Sequence, residues 1–479
     1  MDFDKYNDRT QRSDLLAAGD TIAAIATSQA PGGIGIIRIS GPTAIIIAQT
    51  LFRRNICPIW SQLRGYNVLY GSLEEPGLAP DAINIVTNDV IDECICLIFR
   101  APKSYTGEDV VEFQCHGGPV VLRRALEAVF AAGARPAEPG EFTRRAYLNG
   151  RLDLAKAEAV MQLIAAGSEQ AARAAQAAMG GALSARIEAV RARLLTLTAH
   201  ISAWVDYPEE DIPSLQASEM AATLRAAAAD LDSLLAHARR DQLMLGGITT
   251  ALLGKPNVGK SSLMNLLAGY DRSIVTDLPG TTRDTITETV QLGALTLRLI
   301  DTAGLRDTAE AIERAGVERS RAALRQADLL LAVCDASAPL AREDFALLDA
   351  CDPARTILIR NKRDLGAAWP VPPAFPHAVD MSALTGQGVE DLALAAARVT
   401  DAASFSPCEA ILANRRQTDC ARAAHEAITE ALQAQQAGYP LDAISVCLED
   451  AIQALYALTG ERVTDAVVDE VFSKFCVGK

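Results

Sequence analysis

The sequence predicts a chain that combines α/β and all-α parts: an N-terminal α/β domain, a helical bundle in two pieces, and a second α/β domain inserted between them. Three observations lead to this prediction. A length of 479 residues is too great for one core at roughly 100 to 200 residues per domain. The hydrophobic period changes from strand-like to helical and back along the chain. A phosphate-binding motif lies within the second strand-rich part.

Composition places the chain among ordinary folded proteins and limits how it could hold a polyanion. Hydrophobic residues make up 49% and charged residues 22%, close to average globular usage. The formal net charge is −15, the wrong sign for a protein held on nucleic acid mainly by phosphate neutralisation. Any contact with RNA must therefore come from a local basic patch.

The sequence gives no sign of secretion, a membrane span or a zinc site. No run approaches eighteen consecutive apolar residues, and the acidic opening has no apolar signal segment. The ten cysteines include no Cys-x-x-Cys pair, and the five histidines form no His-Glu-x-x-His motif. We expect a cytoplasmic protein without a membrane partner, and neither a zinc hydrolase nor a triad hydrolase has support.

Residues 1–19 are predicted to be a flexible tail, and residues 20–150 a mixed α/β domain. Short apolar runs such as IGIIRIS, CICLIF and VVEFQC alternate with turn signals such as APGG and HGGP there.

Two alanine-rich blocks, residues 151–245 and 401–479, are predicted to form one helical bundle. The first shows a helical stripe followed by a second, shorter one. These stripes are Ile187, Val190, Leu194, Leu197, Ile201 and Trp204, then Leu224, Ala228, Leu231 and Leu235. The second block repeats the pattern at Ile444, Leu448, Ile452 and Leu455, and its last short helix carries Val467, Val471 and Phe475. Since neither block can bury its stripe alone, we expect the two to pack together.

Residues 246–400 are predicted to be the inserted domain. The apolar runs ITTALL, LTLRLI, LLLAVC and TILIR alternate with polar-faced helical stretches. This pattern is typical of a mostly parallel sheet covered by helices.

A phosphate-binding loop follows the first of these strands. Residues 254–261 read GKPNVGKS and fit G-x-x-x-x-G-K-S, with a helical pattern directly after them. Backbone amides of such a loop close on phosphate oxygens, Lys260 supplies a positive charge, and the Ser261 hydroxyl suits Mg²⁺. The motif and its context together predict a nucleotide site in a Ras-like P-loop domain.

Three further motifs predict that the nucleotide is GTP. Asp301-Thr302-Ala303-Gly304, Asn361-Lys362-Arg363-Asp364 and Ser382-Ala383-Leu384 each follow a predicted strand. The Asp364 carboxylate can accept hydrogen bonds from both the N1–H and the 2-amino group of guanine. Adenine would leave that carboxylate unpaired, which disfavours an ATPase.

The catalytic groups are less evident than the binding groups. Ras-like enzymes place a glutamine after Asp-x-x-Gly to orient water, whereas this chain has Leu305. Asn257, in the phosphate loop, offers an amide oxygen that suits a monovalent cation. A K⁺ ion there would offset charge on the leaving oxygen, and the alternative is that Asn257 only stabilises its loop.

The motifs together resemble the MnmE family of tRNA-modification GTPases, also called TrmE. The resemblance rests on Asn257, on IVTDLPGTTRD at 274–284, on Leu305, on the terminal FCVGK at 475–479, and on N-terminal runs such as SYTGEDVVEFQCHGGP. It implies an N-terminal folate-binding domain that forms a homodimer, a helical domain split by the G domain, and K⁺-stimulated GTP hydrolysis. With the FAD-dependent partner MnmG, such proteins modify carbon 5 of the tRNA wobble uridine with a one-carbon unit from 5,10-methylene- or 5-formyl-tetrahydrofolate.

The resemblance also implies roles for individual residues of the G domain. Potassium ligands are Asn257, Thr276, Leu278 and Thr281, and Mg²⁺ ligands are Ser261 and Thr282. By the resemblance, Glu313 orients the hydrolytic water and Lys260 contacts the transferring phosphate. From the residues alone, Glu313 would be interpreted as an exposed carboxylate on a helix. The GTP-binding set is Asn257, Val258, Gly259, Lys260, Ser261, Ser262, Thr276, Thr281, Thr282, Asp301, Thr302, Ala303, Gly304, Asn361, Lys362, Asp364, Ser382, Ala383 and Leu384.

For the N-terminal domain and the C-terminus, the resemblance implies a folate site. Its residues are Arg38, Glu112, Arg151 and the terminal Lys479, whose charges suit a pterin edge and a glutamate tail. The alternatives are that Arg38 is a surface charge at a strand end and Glu112 a solvent-facing strand residue, and Arg151 stands where some relatives have lysine. Cys476 is a candidate catalytic thiol, with a packed and inert cysteine as the alternative. Arginines such as Arg144, Arg145 and Arg151 are candidates for holding tRNA.

Two other functions share the phosphate-loop features. Ribosome-assembly GTPases of the Era and Der type have similar loops but carry a basic RNA-binding module after the G domain, where this chain has an acidic helical block. A dynamin-like membrane GTPase would need a lipid-binding segment, which the sequence does not show.

Overall fold

The computed structural model describes residues 20–28, 30–53, 60, 63, 65–76, 90–206, 216–270, 286–300 and 327–478, with residues 206, 270 and 286–288 described by their backbone only. The predicted N-terminal tail, 1–19, lies outside these ranges.

The N-terminal part alternates strands with short helices. In chain order its elements are β1 (Ile22–Ile25), β2 (Ile34–Ser40), α1 (Ala44–Leu51), β3 (Phe52–Arg53), β4 (Asn67–Glu74), β5 (Val90–Phe99), β6 (Val110–His116), α2 (Pro119–Ala131), β7 (Arg135–Pro136) and α3 (Glu141–Leu148).

A helical segment follows and leads into the inserted α/β part. The helices are α4 (Leu154–Ala165), α5 (Glu169–Met179), α6 (Ala182–Asp206), α7 (Ala217–Leu235) and α8 (Ala238–Gly246). The inserted part contains β8 (Ile248–Leu253), α9 (Lys260–Tyr270), β9 (Ile286–Leu292), β10 (Leu295–Ile300), β11 (Leu329–Asp335), α10 (Arg342–Asp349), β12 (Thr356–Asn361), β13 (Ala378–Asp380) and α11 (Val389–Val399).

The chain ends in helices α12 (Arg415–Gln436), α13 (Leu441–Thr459) and α14 (Asp465–Ser473). The described residues divide into two compact units: one takes in residues up to 158 together with 460–478, and the other spans 159–459. The mixture of α/β and all-α parts confirms the predicted fold class.

The first unit is built on one sheet, in the order β3-β4-β5-β6-β2-β1-β7. Neighbouring strands are antiparallel except β1 and β7, which are parallel. Side chains alternate between the two faces of each strand. One face carries Ile37, Ile39, Phe113 and Cys96 into a core completed by α1 and α2.

The C-terminal segment, 460–478, packs on the N-terminal domain within this unit. The Tyr147 hydroxyl donates to the Gly460 carbonyl, and Arg144 pairs with Asp469 at 2.9 Å. The Phe472 ring lies 6.1 Å from the Tyr147 ring, centroid to centroid. The end of the chain is thereby held beside strands that lie far away in sequence.

In the second unit, the two helical blocks bury their stripes against each other. Helix α12 packs on α7 and α13, while α6 packs on α7 and α13. Five residues of the first predicted stripe are buried, from Ile187 to Ile201. The inclusion of Trp204 was wrong, since its side chain is 44% exposed near the end of α6. In α7 the buried face is shifted: Leu224 and Leu231 are buried, but Leu235 is only half-buried.

The inserted part forms a sheet in the order β13-β12-β11-β8-β10-β9, parallel except for the β9–β10 hairpin. Its central strands are apolar on both faces: Leu330 and Leu331 of β11 are fully buried on opposite sides. This is the pattern of a parallel sheet covered by helices. The four predicted strands and the short strand before Ser382 are confirmed.

The N-terminal unit also contains a buried cluster of charges. Arg145 is 2% exposed and bonds three carboxylates: Asp20 at 2.7 Å, Glu141 at 3.0 Å and Glu108 at 3.2 Å. Burial alone would raise the pKa of Glu141, but hydrogen bonds from Arg135, the Glu138 amide and Arg145 hold it below its ordinary value. Arg145 was a candidate tRNA contact, and its burial in this cluster makes that interpretation wrong.

We expect Arg145→Met to lower the free energy of unfolding by about 3–5 kcal/mol, because it removes the arginine that bonds Glu108 and leaves Asp20 and Glu141 with Arg135 alone. Thermal and chemical unfolding of the full chain would measure this. Arg123→Met, at an exposed arginine of α2, should change it by less than about 0.5 kcal/mol. Since the pKa of Glu141 is depressed, the cluster's contribution should be complete above the ordinary carboxyl pKa and decline as the pH falls below it. Equal stability of Arg145→Met and Arg123→Met would contradict the predicted role of Arg145.

Candidate nucleotide site

The phosphate-binding motif lies between strand and helix, as the sequence predicts. Strand β8, in the middle of the sheet, leads into residues 254–259, and helix α9 begins at Lys260. The loop therefore lies at the carboxyl edge of the sheet, where ligands of doubly wound α/β folds bind. The first backbone amides of α9 face this edge and make it suitable for an anion.

Two glycines let this loop lie close to neighbouring chain segments. Gly254 has φ of +152°, and a β-carbon there would be 2.4 Å from the Val333 carbonyl oxygen. Gly259 has φ of +98°, and a β-carbon there would be 2.2 Å from the Asn361 amide nitrogen. Any larger residue at either position would push the loop away from β11 or from Asn361.

The Lys260 ammonium lies at the centre of the loop. It donates to the carbonyl oxygens of Gly254, at 2.8 Å, and Lys255, at 2.6 Å. Burial lowers the pKa of Lys260 below its ordinary value. A phosphate group at this position would stabilise the charged form, which is the electrostatic basis for anion binding here.

Asn361 joins the phosphate loop to the loop that follows β13. Its side-chain nitrogen donates to the Val258 carbonyl at 2.8 Å, and its side-chain oxygen accepts from the Ala383 amide at 2.9 Å. Asn361 is 2% exposed, so both bonds are shielded from water. The motifs around residues 258, 361 and 383, far apart in sequence, thus meet at one amide.

Lys362 follows in a left-handed conformation, with φ of 62°. Its ammonium pairs with Asp335, at the end of β11, at 2.6 Å. Burial alone would raise the pKa of Asp335, but hydrogen bonds from Lys362 and Ser337 hold it below its ordinary value. The pair fixes the path of the chain just before Asp364.

The remaining residues of the guanine motifs lie at the same edge of the sheet. Asp364 and Leu384 are exposed to solvent, Leu384 at 85%. Ser382 is buried, and its amide donates to the Gln387 carbonyl at 3.0 Å. An exposed carboxylate beside a rigid loop is free to accept hydrogen bonds from a base.

The cation ligands fall only in part within the described residues. Asn257 is exposed at the outer turn of the loop, with φ of +65°, and Ser261 and Ser262 are exposed on the first turn of α9. These oxygens suit hard cations. The other predicted residues lie outside the described ranges: Thr276, Leu278, Thr281, Thr282, Asp301, Thr302, Ala303, Gly304 and Glu313.

In the N-terminal unit, the structure brings together three parts of the predicted folate site. Arg38 and Glu112 are register partners on β2 and β6, and their side chains pair at 2.7 Å. Arg38 also donates to the Gly478 carbonyl at 3.3 Å, which places the C-terminus beside this pair. Its guanidinium carbon lies 5.8 Å from the centroid of the Tyr105 ring and 5.7 Å from that of the Phe142 ring.

The structure gives no hydrogen bond or ion pair between the Arg38–Glu112 pair and the other described residues predicted for this site. Arg151 is exposed, and Lys479 lies outside the described residues. Cys476 is half-buried with a free thiol, and its carbonyl accepts from the Gly140 amide at 3.3 Å. This backbone bond positions Cys476 at the start of α3.

Two acidic residues that hold the nucleotide loops were missed by reasoning from the sequence. Asp335 pairs with Lys362, and Asp344 of α10 pairs with Lys255 of the phosphate loop at 2.5 Å. Each partner lies far along the chain, so no local spacing could have revealed the pair. For Asp335 the sequence did offer one signal: it is the last residue of a parallel strand, at the edge of the sheet where ligands bind.

Comparison with known proteins identifies the family. The description "MnmE helical domain" matches residues 154–476, and "GTP-binding protein TrmE N-terminus" matches residues 21–151. The chain belongs to the MnmE family of tRNA modification GTPases. The predicted resemblance is thereby confirmed, and the chain is a GTP hydrolase.

Two MnmE proteins illustrate the extent of the similarity. The tRNA modification GTPase MnmE of Synechococcus sp. (strain RCC307) is 43% identical over 97% of this chain and 100% of its own length. An MnmE protein of Thermus thermophilus is 44% identical over 96% of this chain and 99% of its own. Because MnmE proteins match the chain nearly end to end, a ribosome-assembly GTPase has no support.

Among solved structures, the G domain of the FeoB iron transporter of T. maritima is similar at 26% identity, covering 32% of this chain and 98% of that one, with a TM-score of 0.24.

Of the helices that the structure describes in this MnmE-family chain, none is long and apolar enough to cross a membrane.

We expect Asp364→Asn to weaken GTP binding by roughly 100-fold or more, because an amide cannot accept from both donors of the guanine edge. Xanthosine triphosphate, which has a carbonyl where guanine has an amino group, should bind the variant better than GTP does. Competition titrations with a fluorescent nucleotide would measure both affinities. Asp349→Asn, at an exposed aspartate of α10, is the control. Unchanged GTP preference in Asp364→Asn would remove the assignment.

Proposed function

We propose that this MnmE-family protein hydrolyses GTP at the loop of residues 254–262, with Mg²⁺ and K⁺ as cofactors, and that hydrolysis serves modification of carbon 5 of the tRNA wobble uridine. The modification adds an aminomethyl or carboxymethylaminomethyl group, uses a folate-derived one-carbon unit, and requires a flavoprotein of the MnmG type. The observation that carries the proposal is the meeting of phosphate loop and guanine motifs at Asn361.

In this proposal the chain's own groups bind and orient the nucleotide. The Lys260 ammonium leaves the carbonyls of Gly254 and Lys255 and bonds the β and γ phosphates. Asp364 accepts from the guanine edge, and the loop after β13 closes over the base. Backbone amides at the start of α9 hold the phosphates, with Ser261 and Thr282 as the Mg²⁺ ligands.

Asn257 is the proposed cation ligand of the described loop, with Thr276, Leu278 and Thr281 completing the K⁺ site. A bound K⁺ ion supplies positive charge next to the phosphates. The exposed, left-handed position of Asn257 supports this role, since its amide is not needed to hold the buried part of the loop. Glu313 is the proposed group that orients the attacking water.

The N-terminal unit supports the proposed folate site. Arg38 is partly exposed, paired with Glu112, and lies beside the C-terminal segment. A guanidinium and a carboxylate side by side match the alternating acceptors and donors of a pterin edge. Arg151, Lys479 and Cys476 are proposed to complete this site, with the one-carbon unit of the tetrahydrofolate toward the C-terminus.

An exposed apolar face of the same sheet supports the proposed homodimer. Val68 and Tyr70 of β4 are 64% and 63% exposed, and Ile95, the register partner of Tyr70, is 36% exposed. Tyr70, Ile95 and Gln114 are consecutive partners across β4, β5 and β6, so they share one face. Apolar patches of this kind mark interaction sites in folded proteins. We propose a second copy of the chain as its partner, in the cytoplasm.

GTP turnover in KCl and in NaCl tests the cation proposal. We expect kcat to be at least about tenfold higher in KCl, because the ion offsets charge on the leaving oxygen. Asn257→Ala should remove this difference while changing GTP affinity less than about threefold. Asn265→Ala, at an exposed asparagine of α9, should retain the difference. Equal turnover of the wild-type protein in both salts would overturn the proposed K⁺ site.

A further inference from the structure

The phosphate loop is tied to helix α10 by an ion pair that the proposed mechanism does not use. The Lys255 ammonium lies 2.5 Å from the Asp344 carboxylate. The Asp344 side chain is 4% exposed, whereas the Lys255 side chain is 26% exposed. A carboxylate of this kind is costly to bury without a cation, so the pair is held firmly.

Asp344 has a second bond, within its own helix turn. The same oxygen, Oδ2, accepts from the Ala341 amide at 2.8 Å and so caps the start of α10. Its other oxygen, Oδ1, is buried and has no hydrogen-bond partner among the described residues.

The backbone of Lys255 is also held, by the Lys260 ammonium, which must turn to the phosphates when GTP binds in the proposed mechanism. Its carbonyl oxygen accepts from the Lys260 ammonium at 2.6 Å. When that ammonium turns to phosphate, the first turn of the loop loses this bond. After this change, the ion pair with Asp344 still fixes Lys255. The hydrogen bond from Asn361 to the Val258 carbonyl fixes the other end of the loop.

We propose that Asp344 is a positioning residue for GTP: through Lys255 it holds the first turn of the phosphate loop open for phosphate after Lys260 has turned to the nucleotide. Asp344 does not touch the nucleotide itself. The inference rests on the proposed assignment of residues 254–262 as the GTP site, and it adds α10 to the elements that determine nucleotide affinity.

Asp344→Asn is the variant that isolates the charge. Asparagine retains an oxygen that can cap α10 at the Ala341 amide, and Lys255, being partly exposed, is free to return to water. Lys255→Met instead leaves the Asp344 carboxylate buried without a cation and should lower the melting temperature more. Lys255→Arg keeps the pair. Glu343→Gln, at the exposed neighbouring position, is the matched control.

We expect Asp344→Asn to weaken GTP and GDP binding roughly tenfold, the loss typical of one charge-assisted hydrogen bond. KM should rise by a similar factor with kcat nearly unchanged, because the loop contacts the phosphates in ground and transition states alike. The double variant with Lys255→Met should bind no more weakly than the weaker single variant. Lys255→Arg and Glu343→Gln should bind as the wild type does. Titration with fluorescent GDP, steady-state kinetics and thermal melting give these readouts.

An affinity of Asp344→Asn within twofold of the wild type would overturn the inference. So would a lower melting temperature with unchanged KM, which indicates a role in stability alone, or additive losses in the double variant. Lys260→Ala separates this inference from the site assignment. If Lys260→Ala binds GTP like the wild type, the proposed site is wrong. If Lys260→Ala loses binding and Asp344→Asn does not, only the role of Asp344 fails.

Discussion

The nucleotide site depends on one buried amide. Asn361 donates to the phosphate loop and accepts from the loop after β13, so it fixes the distance between the regions proposed to hold phosphate and base. Both bonds lie out of water, and loss of either leaves a buried backbone group unpaired. Gly259 is required at the point where the loop meets this amide. The geometry of the site is therefore determined by packing between segments remote in sequence.

Ion pairs from a covering helix and from neighbouring strands support this centre. Lys255 is held from α10 by Asp344, and Lys362 is held from the end of β11 by Asp335. A third pair joins Arg360 to Asp380, with contacts of 2.5 and 2.8 Å, across β12 and β13. Each fixes the backbone next to a group proposed to bind GTP, and none of the three carboxylates belongs to a nucleotide motif. Rigid surroundings of this kind position binding groups before the ligand arrives.

The sequence predicted the strands, the phosphate loop and the split bundle because these depend on local period and turn chemistry. It could not predict pairings between remote residues. Arg145 looked like a surface arginine, yet carboxylates at residues 20, 108 and 141 converge on it in the fold. Trp204 continued a helical stripe but is exposed near the end of α6. The position of the C-terminus beside Arg38 likewise depends on tertiary packing, and only the family resemblance indicated it.

The most direct test of the account is the GDP affinity of Asn361→Ala, measured by equilibrium titration with a fluorescent nucleotide. If one amide sets the distance between phosphate and base regions, its removal should weaken binding by roughly 100-fold, as expected when two buried hydrogen bonds are lost together. The fold should remain intact, as judged by circular dichroism. An affinity within about twofold of the wild type, with a folded protein, would contradict the central claim.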